Sequence, residues 1–294
     1  MADLDRKPSW FTGRYAVWLG LGGLPKDPAE LSDFAAEVEA LNFAALWLGG
    51  SWGADLSVPA ALLSGSRRLV VGTSIANIWR DRADRVAGSY TALAADHGDR
   101  FVLGVGPGHA AQVDLHQNRY HRPLAETGAF LDGLDAAQPP VPVRQRALAA
   151  LGPKALALAA ERSAGALPYL TTPAHTAQAR EIVGDAFLAP EQKIVLVADQ
   201  DDARGLARQA LKYYLTLPNY VNAWRRLGFA EPDFETGGSD HLIDALFGWG
   251  KPEAALDRVR EHLAAGADQV CIQPIPAAGR TPLEELRVIA RELP

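Results

Sequence analysis

The sequence predicts an α/β chain folded as a (β/α)8 TIM barrel, with an insertion near its seventh and eighth strands. Short apolar stretches alternate with amphipathic segments along the whole length, so the periodicity switches repeatedly between buried strand and helix. Eight strands can be placed this way, each followed by helix-like sequence. No linker or low-complexity tract divides the 294 residues, 48% of them apolar, so 1–294 reads as one domain with a large core.

The first predicted strand is Tyr15 to Leu21. The helix after it has Asp27 as N-cap, Pro28 at its first position and Glu30 closing a capping box, with Leu31, Phe34, Val38 and Leu41 on one face. Strands two, three and four are Phe43–Leu48, Leu69–Ile75 and Phe101–Val105; a helix carrying Val86, Tyr90 and Leu93 separates the last two. After a helix near Ala125 to Ala136, a fifth strand falls around Val143 to Ala149, although Arg144 and Arg146 interrupt its apolar character. A helix then starts at Pro153 and stops at Gly165. Strands six, seven and eight are Ala166–Leu170, Lys193–Ala198 and Gln269–Ile275, and Thr281-Pro-Leu-Glu284 opens the last helix as a capping box. Residues 212–251 break the rhythm with helix-like and loop sequence rich in aromatics, among them Tyr213, Tyr214, Tyr220 and Trp224. Such an insertion is either a cap over the site or a contact between subunits.

A formal charge of -6 gives no broad basic surface, which argues against nucleic acid as a partner. No apolar run reaches the ~20 residues of a membrane span, and Met1 to Trp10 is charged and proline-bearing rather than a signal peptide, so the expectation is a cytoplasmic protein away from membranes. The single Cys271, in a strand-like setting, excludes internal disulfides and cysteine metal cages and reads as a buried structural thiol. His97, His116, His121 and His175 read as solvated or capping; no pair has metal-ligand spacing, and no metal is expected.

Two glycine-bearing turns carry the chemistry. Arg100 to His109, RFVLGVGPGH, is a buried strand running into Gly106-Pro107-Gly108 and ending on an ionisable side chain; Ala150-Leu151-Gly152-Pro153-Lys154 follows the next strand. Gly104-x-Gly106-x-x-His109 is not the dinucleotide fingerprint, because histidine holds the third position and the barrel pattern does not suit it. The second turn places amide groups of Gly152 and Pro153 at a helix N-terminus, where partial positive charge suits a phosphate or an anionic ring edge. Lys154 either adds a point charge there or is an exposed first-turn lysine. In barrel enzymes the reacting groups gather at the C-terminal ends of the strands, where Ser74, Asn77, His109 and Gly152 all fall.

The chain resembles the luciferase-like monooxygenase superfamily, and within it the branch that uses the deazaflavin coenzyme F420. The resemblance rests on Thr73-Ser-Ile-Ala-Asn-Ile78, Arg100 to His109, Leu151-Gly-Pro-Lys154 with Ala159-Ala-Glu-Arg162, Gly165-Ala-Leu-Pro-Tyr169 and Gly266-Ala-Asp-Gln-Val270, in this order across nearly the whole chain. It implies a non-prolyl cis peptide at Ser74-Ile75 backing the middle of the ring, with Asn77 just beyond and the two turns holding the ring edge and the phosphate-bearing side chain. It implies an oxidoreductase that moves a hydride between F420 and a small organic substrate, as a homodimer, with FMN as the alternative cofactor of a two-component monooxygenase and a non-catalytic cofactor-binding protein as a further alternative. The position of His109 matches one where some relatives hold a proton-donating glutamate. A histidine there either handles the proton or bonds the cofactor tail and caps the following segment.

One departure stands out. Where several relatives carry an acid and a histidine, at the end of strand two, this chain reads Leu48-Gly-Gly-Ser-Trp52. Small residues there leave room for a substrate or cofactor edge, with Ser51 and Trp52 as lining; Trp79 points to the same face, and Trp224 with Arg225 and Arg226 either gates the substrate or sits on an exposed helix. Trp47 reads as core.

Overall fold

The computed structural model describes residues 7–110 and 120–294; His116 and the first six residues lie outside them. Ten strands are present among these residues: β1 Tyr15–Gly20, β2 Ala45–Trp52, β3 Val70–Asn77, β4 Phe101–Gly106, β5 Arg146–Leu148, β6 Gly165–Ala166, β7 Phe187–Leu188, β8 Glu191–Val195, β9 Phe247–Trp249 and β10 Val270–Pro274. All pairings are parallel, and they join the strands into one curled sheet in the order β7-β6-β5-β4-β3-β2-β1-β10-β8-β9. The curl brings its flanks onto one stretch of backbone. Ala189 N donates to Ala166 O at 3.0 Å on one side, and Cys271 N donates to Pro190 O at 2.9 Å on the other.

The apolar runs become strands because both faces of a parallel sheet are covered. Outward side chains such as Leu46, Val71, Leu103 and Ile272 pack against the helices in the largest core cluster. Inward ones form a second core. Trp47 is fully buried beside Gly72, where an added Cβ would fall 2.4 Å from the indole, and it donates to Gln269 Oε1 at 3.0 Å. Trp10 closes that end of the curl, edge-on to Trp47 and Phe187 with centroids 6.1 and 4.9 Å away. Cys271 is buried here, and burial raises its thiol pKa well above the ordinary value.

Local signals at helix ends hold in part: Asp27 caps its helix, but Glu30 does not close the expected capping box there. Asp27 accepts from Ala29 N at 2.8 Å, and Thr281 with Glu284 forms the expected capping box. Other boundaries move. The fifth strand shrinks to Arg146–Leu148 because Val143–Gln145 is a 3-10 turn; buried Arg146 donates from Nε to Val141 O at 3.0 Å and pairs with Asp135. The seventh predicted strand starts earlier, at Glu191, and the two- and three-residue strands β7 and β9 carry no sequence signal of their own. Within 212–251, the helices Pro218–Arg226 and Asp240–Leu246 form a separate apolar cluster over β8, and β9 joins the sheet edge.

His262, on the helix Asp257–Ala264, is completely buried between Thr176 Oγ1 at 2.7 Å from Nδ1 and Gln192 Oε1 at 3.0 Å from Nε2. A neutral ring donating from Nε2 and accepting at Nδ1 satisfies both contacts, and burial pushes its pKa down to about 3. The folded value lies below the unfolded one, so this contribution to stability is complete above pH 6.5 and is lost as pH falls toward 3. Urea unfolding is expected to show a loss of about 2 kcal/mol between about pH 7.5 and pH 5 from this group. In His262→Gln that loss should vanish; an unchanged pH dependence would exclude His262 as its source.

Candidate active site

At the C-terminal ends of the strands lies a cavity of about 340 Å³, and it gathers most of the residues singled out from sequence. Ser74, Ile75 and Asn77 form one wall from β3, and the Ser74-Ile75 peptide is cis. Pro107, Gly108 and His109, after β4, meet Ala150, Leu151 and Gly152, after β5, along the adjacent wall. Gly108 has φ +59°, and an added Cβ would sit 2.6 Å from Asn77 Nδ2, so the two strand ends approach closely only because glycine is there. Asn77 Nδ2 donates to Ser51 Oγ at 3.0 Å, which places Ser51 on the cavity too.

Other candidates stand behind the wall rather than in it. Gly106 is buried at the end of β4, its carbonyl accepting from Ile78 N at 3.2 Å. Trp79 donates to Pro107 O at 2.9 Å and so braces the turn from outside. Pro153 and Lys154 are exposed on the first turn of the helix Pro153–Arg162, and Pro153 has no N–H to offer, so the amide donors of that turn come from its neighbours. Trp52 packs into the core cluster under the helices and donates to Leu48 O at 2.8 Å, while Trp224 is fully buried in the cluster over β8 and donates to Leu170 O at 3.1 Å. Both were expected to line the substrate; each is instead consumed by packing and by a carbonyl partner.

The space expected at Gly49 is filled from the neighbouring strand, while Gly50 lines the cavity. A Cβ on Gly49 would lie 2.1 Å from the ring of Trp18, whose Nε1 donates to Ser74 Oγ at 3.1 Å. Trp18 therefore occupies the position in front of β3 and lines the cavity. Sequence reading missed it, because an alternating strand residue beside Val17 and Leu19 looks like core.

Beside His109 stands a wall of tyrosines, Tyr169 after β6 with Tyr213, Tyr214 and Tyr220. Tyr169 lies 4.7 Å from Trp18, and Tyr214 lies 5.4 Å from Tyr169 and 5.1 Å from Tyr220 between ring centroids. Behind Tyr169 sits a buried ion pair: Lys193 Nζ is 3.1 Å from Glu191 Oε1 and 3.9 Å from the Tyr169 ring centroid. Among the described lining residues there is no Asp, Glu, Lys or Arg.

His109 packs within 5.6 Å of the Tyr220 ring, its Nδ1 is buried with no partner among the described residues, and desolvation lowers its pKa. It is thus a neutral imidazole at neutral pH, able to take a proton and return it. His175, expected to be solvated or capping, is buried, and its Nε2 donates to Leu151 O at 2.8 Å, fixing the second turn. At the mouth, a Cβ added to Gly152 would lie 3.7 Å from an Arg226 guanidinium nitrogen, so a cation stands beside the helix N-terminus. His97 and His121 stay outside the lining, and no group of His, Cys, Asp and Glu suited to a metal occurs among the described residues.

Comparison with known proteins agrees with this architecture. A Mycobacterium tuberculosis protein named "Putative coenzyme F420-dependent oxidoreductase Rv3520c" is 28% identical over 86% of this chain and 87% of its own length. A solved F420-dependent secondary alcohol dehydrogenase, in complex with an F420-acetone adduct, superposes with a TM-score of 0.71 at 14% identity, over 98% of each chain. The coenzyme F420 dependent tetrahydromethanopterin reductase from Methanopyrus kandleri gives 0.66 at 16% identity, covering 95% of this chain and 98% of the other. The oxygenating constituent of 3,6-diketocamphane monooxygenase from Pseudomonas putida, in complex with FMN, gives 0.65 at 13% identity, with the same coverage. At these identities the solved structures speak for the fold. The family of luciferase-like monooxygenases matches residues 9–269, and the chain belongs to that family.

Proposed function

We propose that the protein is an F420-dependent oxidoreductase, moving a hydride between the deazaflavin and a small organic substrate on a closed (β/α)8 barrel, with 212–251 as the insertion that walls the site. The observation that carries this reading is the slot running from Ser74-Ile75 past His109 to Gly152, free of charged side chains along its described walls and with Arg226 at its mouth. A flat ring with an anionic tail suits that distribution: apolar and backbone surface for the ring, a helix N-terminus and a guanidinium for the tail. The names of the Mycobacterium tuberculosis relative and of two solved neighbours support the same cofactor.

The bound deazaflavin supplies a carbon that gives or accepts hydride. The protein's own groups do the rest. Ser74, Ile75, Pro107 and Gly108 support the ring, with Gly106 and Asn77 behind the turn; Ala150 to Gly152 and Arg226 hold the edge and the tail. Trp18 and the tyrosines exclude water from the site. His109, neutral and with an Nδ1 unpartnered among the described residues, takes or supplies the proton that accompanies the hydride. The reading includes a cytoplasmic homodimer; no helix among the described residues is long and apolar enough to cross a membrane.

The FMN-bound neighbour favours a second reading, a flavin mononucleotide monooxygenase on the same frame. Fluorescence titration of the purified protein separates the two. F420 is expected to bind at least about tenfold more tightly than FMN, a difference of ~1.4 kcal/mol. Tight FMN binding with none for F420 would replace the deazaflavin reading by the flavin one, and binding of both without turnover of any substrate would leave a cofactor carrier.

A further inference from the structure

Besides the turns proposed to hold the cofactor, the cavity is lined by a cluster of aromatic side chains. Trp18, Tyr169, Tyr214 and Tyr220 present ring faces and edges, and two of the hydroxyls of that wall, those of Tyr169 and Tyr214, form a bonded pair 3.0 Å apart. A phenol has a single proton to donate. Tyr169 donates its proton to Gln273 Oε1 at 3.0 Å, so in the contact between the two tyrosines Tyr214 is the donor. The Tyr214 oxygen is left as an acceptor on the cavity side.

This orientation is held from behind. The Lys193 ammonium lies under the Tyr169 ring, Glu191 Oε1 accepts from Lys193, and Glu191 Oε2 accepts from Leu170 N at 3.0 Å. Such an interlocked polar network resists reorientation, because any rotation leaves a buried group unpaired. Trp18 links the pair to the cofactor wall, touching Tyr169 at 4.7 Å and bonded to Ser74 at 3.1 Å.

We propose that Tyr214, oriented by Tyr169, is the specificity-determining anchor of the substrate half, and that it selects an uncharged, ring-bearing molecule presenting a hydroxyl. The inference rests on the cofactor occupying the Ser74 to Gly152 side, as proposed above. Aromatic and alicyclic rings gain from the tyrosine and tryptophan faces, whereas a carboxylate or phosphate entering this half finds no cation along its described walls and loses its hydration.

Three molecules of one shape test it: 2-naphthol, naphthalene, which lacks the hydroxyl, and 2-naphthoate, which is charged. Equilibrium dialysis against the purified full chain is expected to show 2-naphthol binding about tenfold more tightly than either of the others, the size of one well-made hydrogen bond in a desolvated site. Tyr214→Phe should erase the advantage over naphthalene while F420 affinity stays within about twofold, which separates the anchor from the cofactor turns. Should Tyr214→Phe fail to fold, Tyr169→Phe, which removes the acceptor that orients Tyr214, reports the same ratio. Equal binding of 2-naphthol and naphthalene by the wild type, tighter binding of 2-naphthoate, or an unchanged ratio in the variant would each overturn the proposal. Wild-type protein that binds 2-naphthol as expected but not F420 refutes the cofactor reading and leaves the anchor standing.

Discussion

His109→Ala is expected to lower turnover of F420 with a hydroxyl-bearing substrate by roughly a hundredfold while cofactor affinity stays within about tenfold, in line with the loss of one positioned acid or base. The argument begins at the turn. Glycine at position 108 lets the backbone fold against Asn77, and this delivers the next residue into the cavity rather than along the strand. There the imidazole meets aromatic rings rather than a carboxylate, its Nδ1 has no partner among the described residues, and burial lowers its pKa below 6.5. A general base with a depressed pKa is in its working form at neutrality, so the acidic limb of the kcat/KM profile is expected below pH 6.5 and to disappear in the variant. His109→Gln keeps a hydrogen-bonding side chain without a titrating one; it should match His109→Ala in turnover and the wild type in cofactor affinity. Turnover within about twofold of wild type in both variants would make His109 a bystander, because the loss of a general acid or base is far larger.

The parts of this architecture that could be read in the sequence are those in which neighbouring residues repeat one message. Strands β1 to β4 and β10 are mostly apolar runs because both sheet faces are covered, and the caps at Asp27 and Thr281 are local hydrogen bonds between residues close in sequence. Both glycine turns were legible for the same reason. What stayed hidden depends on distant partners. Glu191 and Gln192 fall outside the predicted strand that begins at Lys193, yet all three are buried in β8, each satisfied by groups far along the chain or across the sheet: Leu170 N, Leu246 O and the Tyr169 ring. Trp18 could not be recognised as a cavity residue, since its role follows from the absence of a side chain on Gly49 one strand away. Trp224 misled in the opposite direction: aromatic, on a helix with two arginines, it looked like a gate, but the cluster over β8 needed a large apolar filler.

Lys193→Met is expected to destabilise the fold by ~3–5 kcal/mol, the usual cost of leaving a buried charge without its partner. Lys193 is 1% and Glu191 2% exposed, so neither reaches water. Burial lowers the lysine pKa and raises that of Glu191, each group resisted by the other's charge. Remove the ammonium, and Glu191 keeps only the Leu170 N–H; it must stay ionised in an apolar interior or take up a proton, and both alternatives weaken the folded state. The double variant Glu191→Gln/Lys193→Met removes both charges while keeping an acceptor for Leu170 N, so it should recover at least about half of the single-variant loss. Urea unfolding of the wild type, both single variants and the double variant gives the coupling directly; additive losses would show that the pair does not act as a unit. The network also makes a second forecast from the same proteins. Because the ammonium supports the Tyr169 ring that orients Tyr214, the folded double variant should bind 2-naphthol no more tightly than naphthalene even where its stability has been recovered, which separates holding the fold together from aiming the hydroxyl.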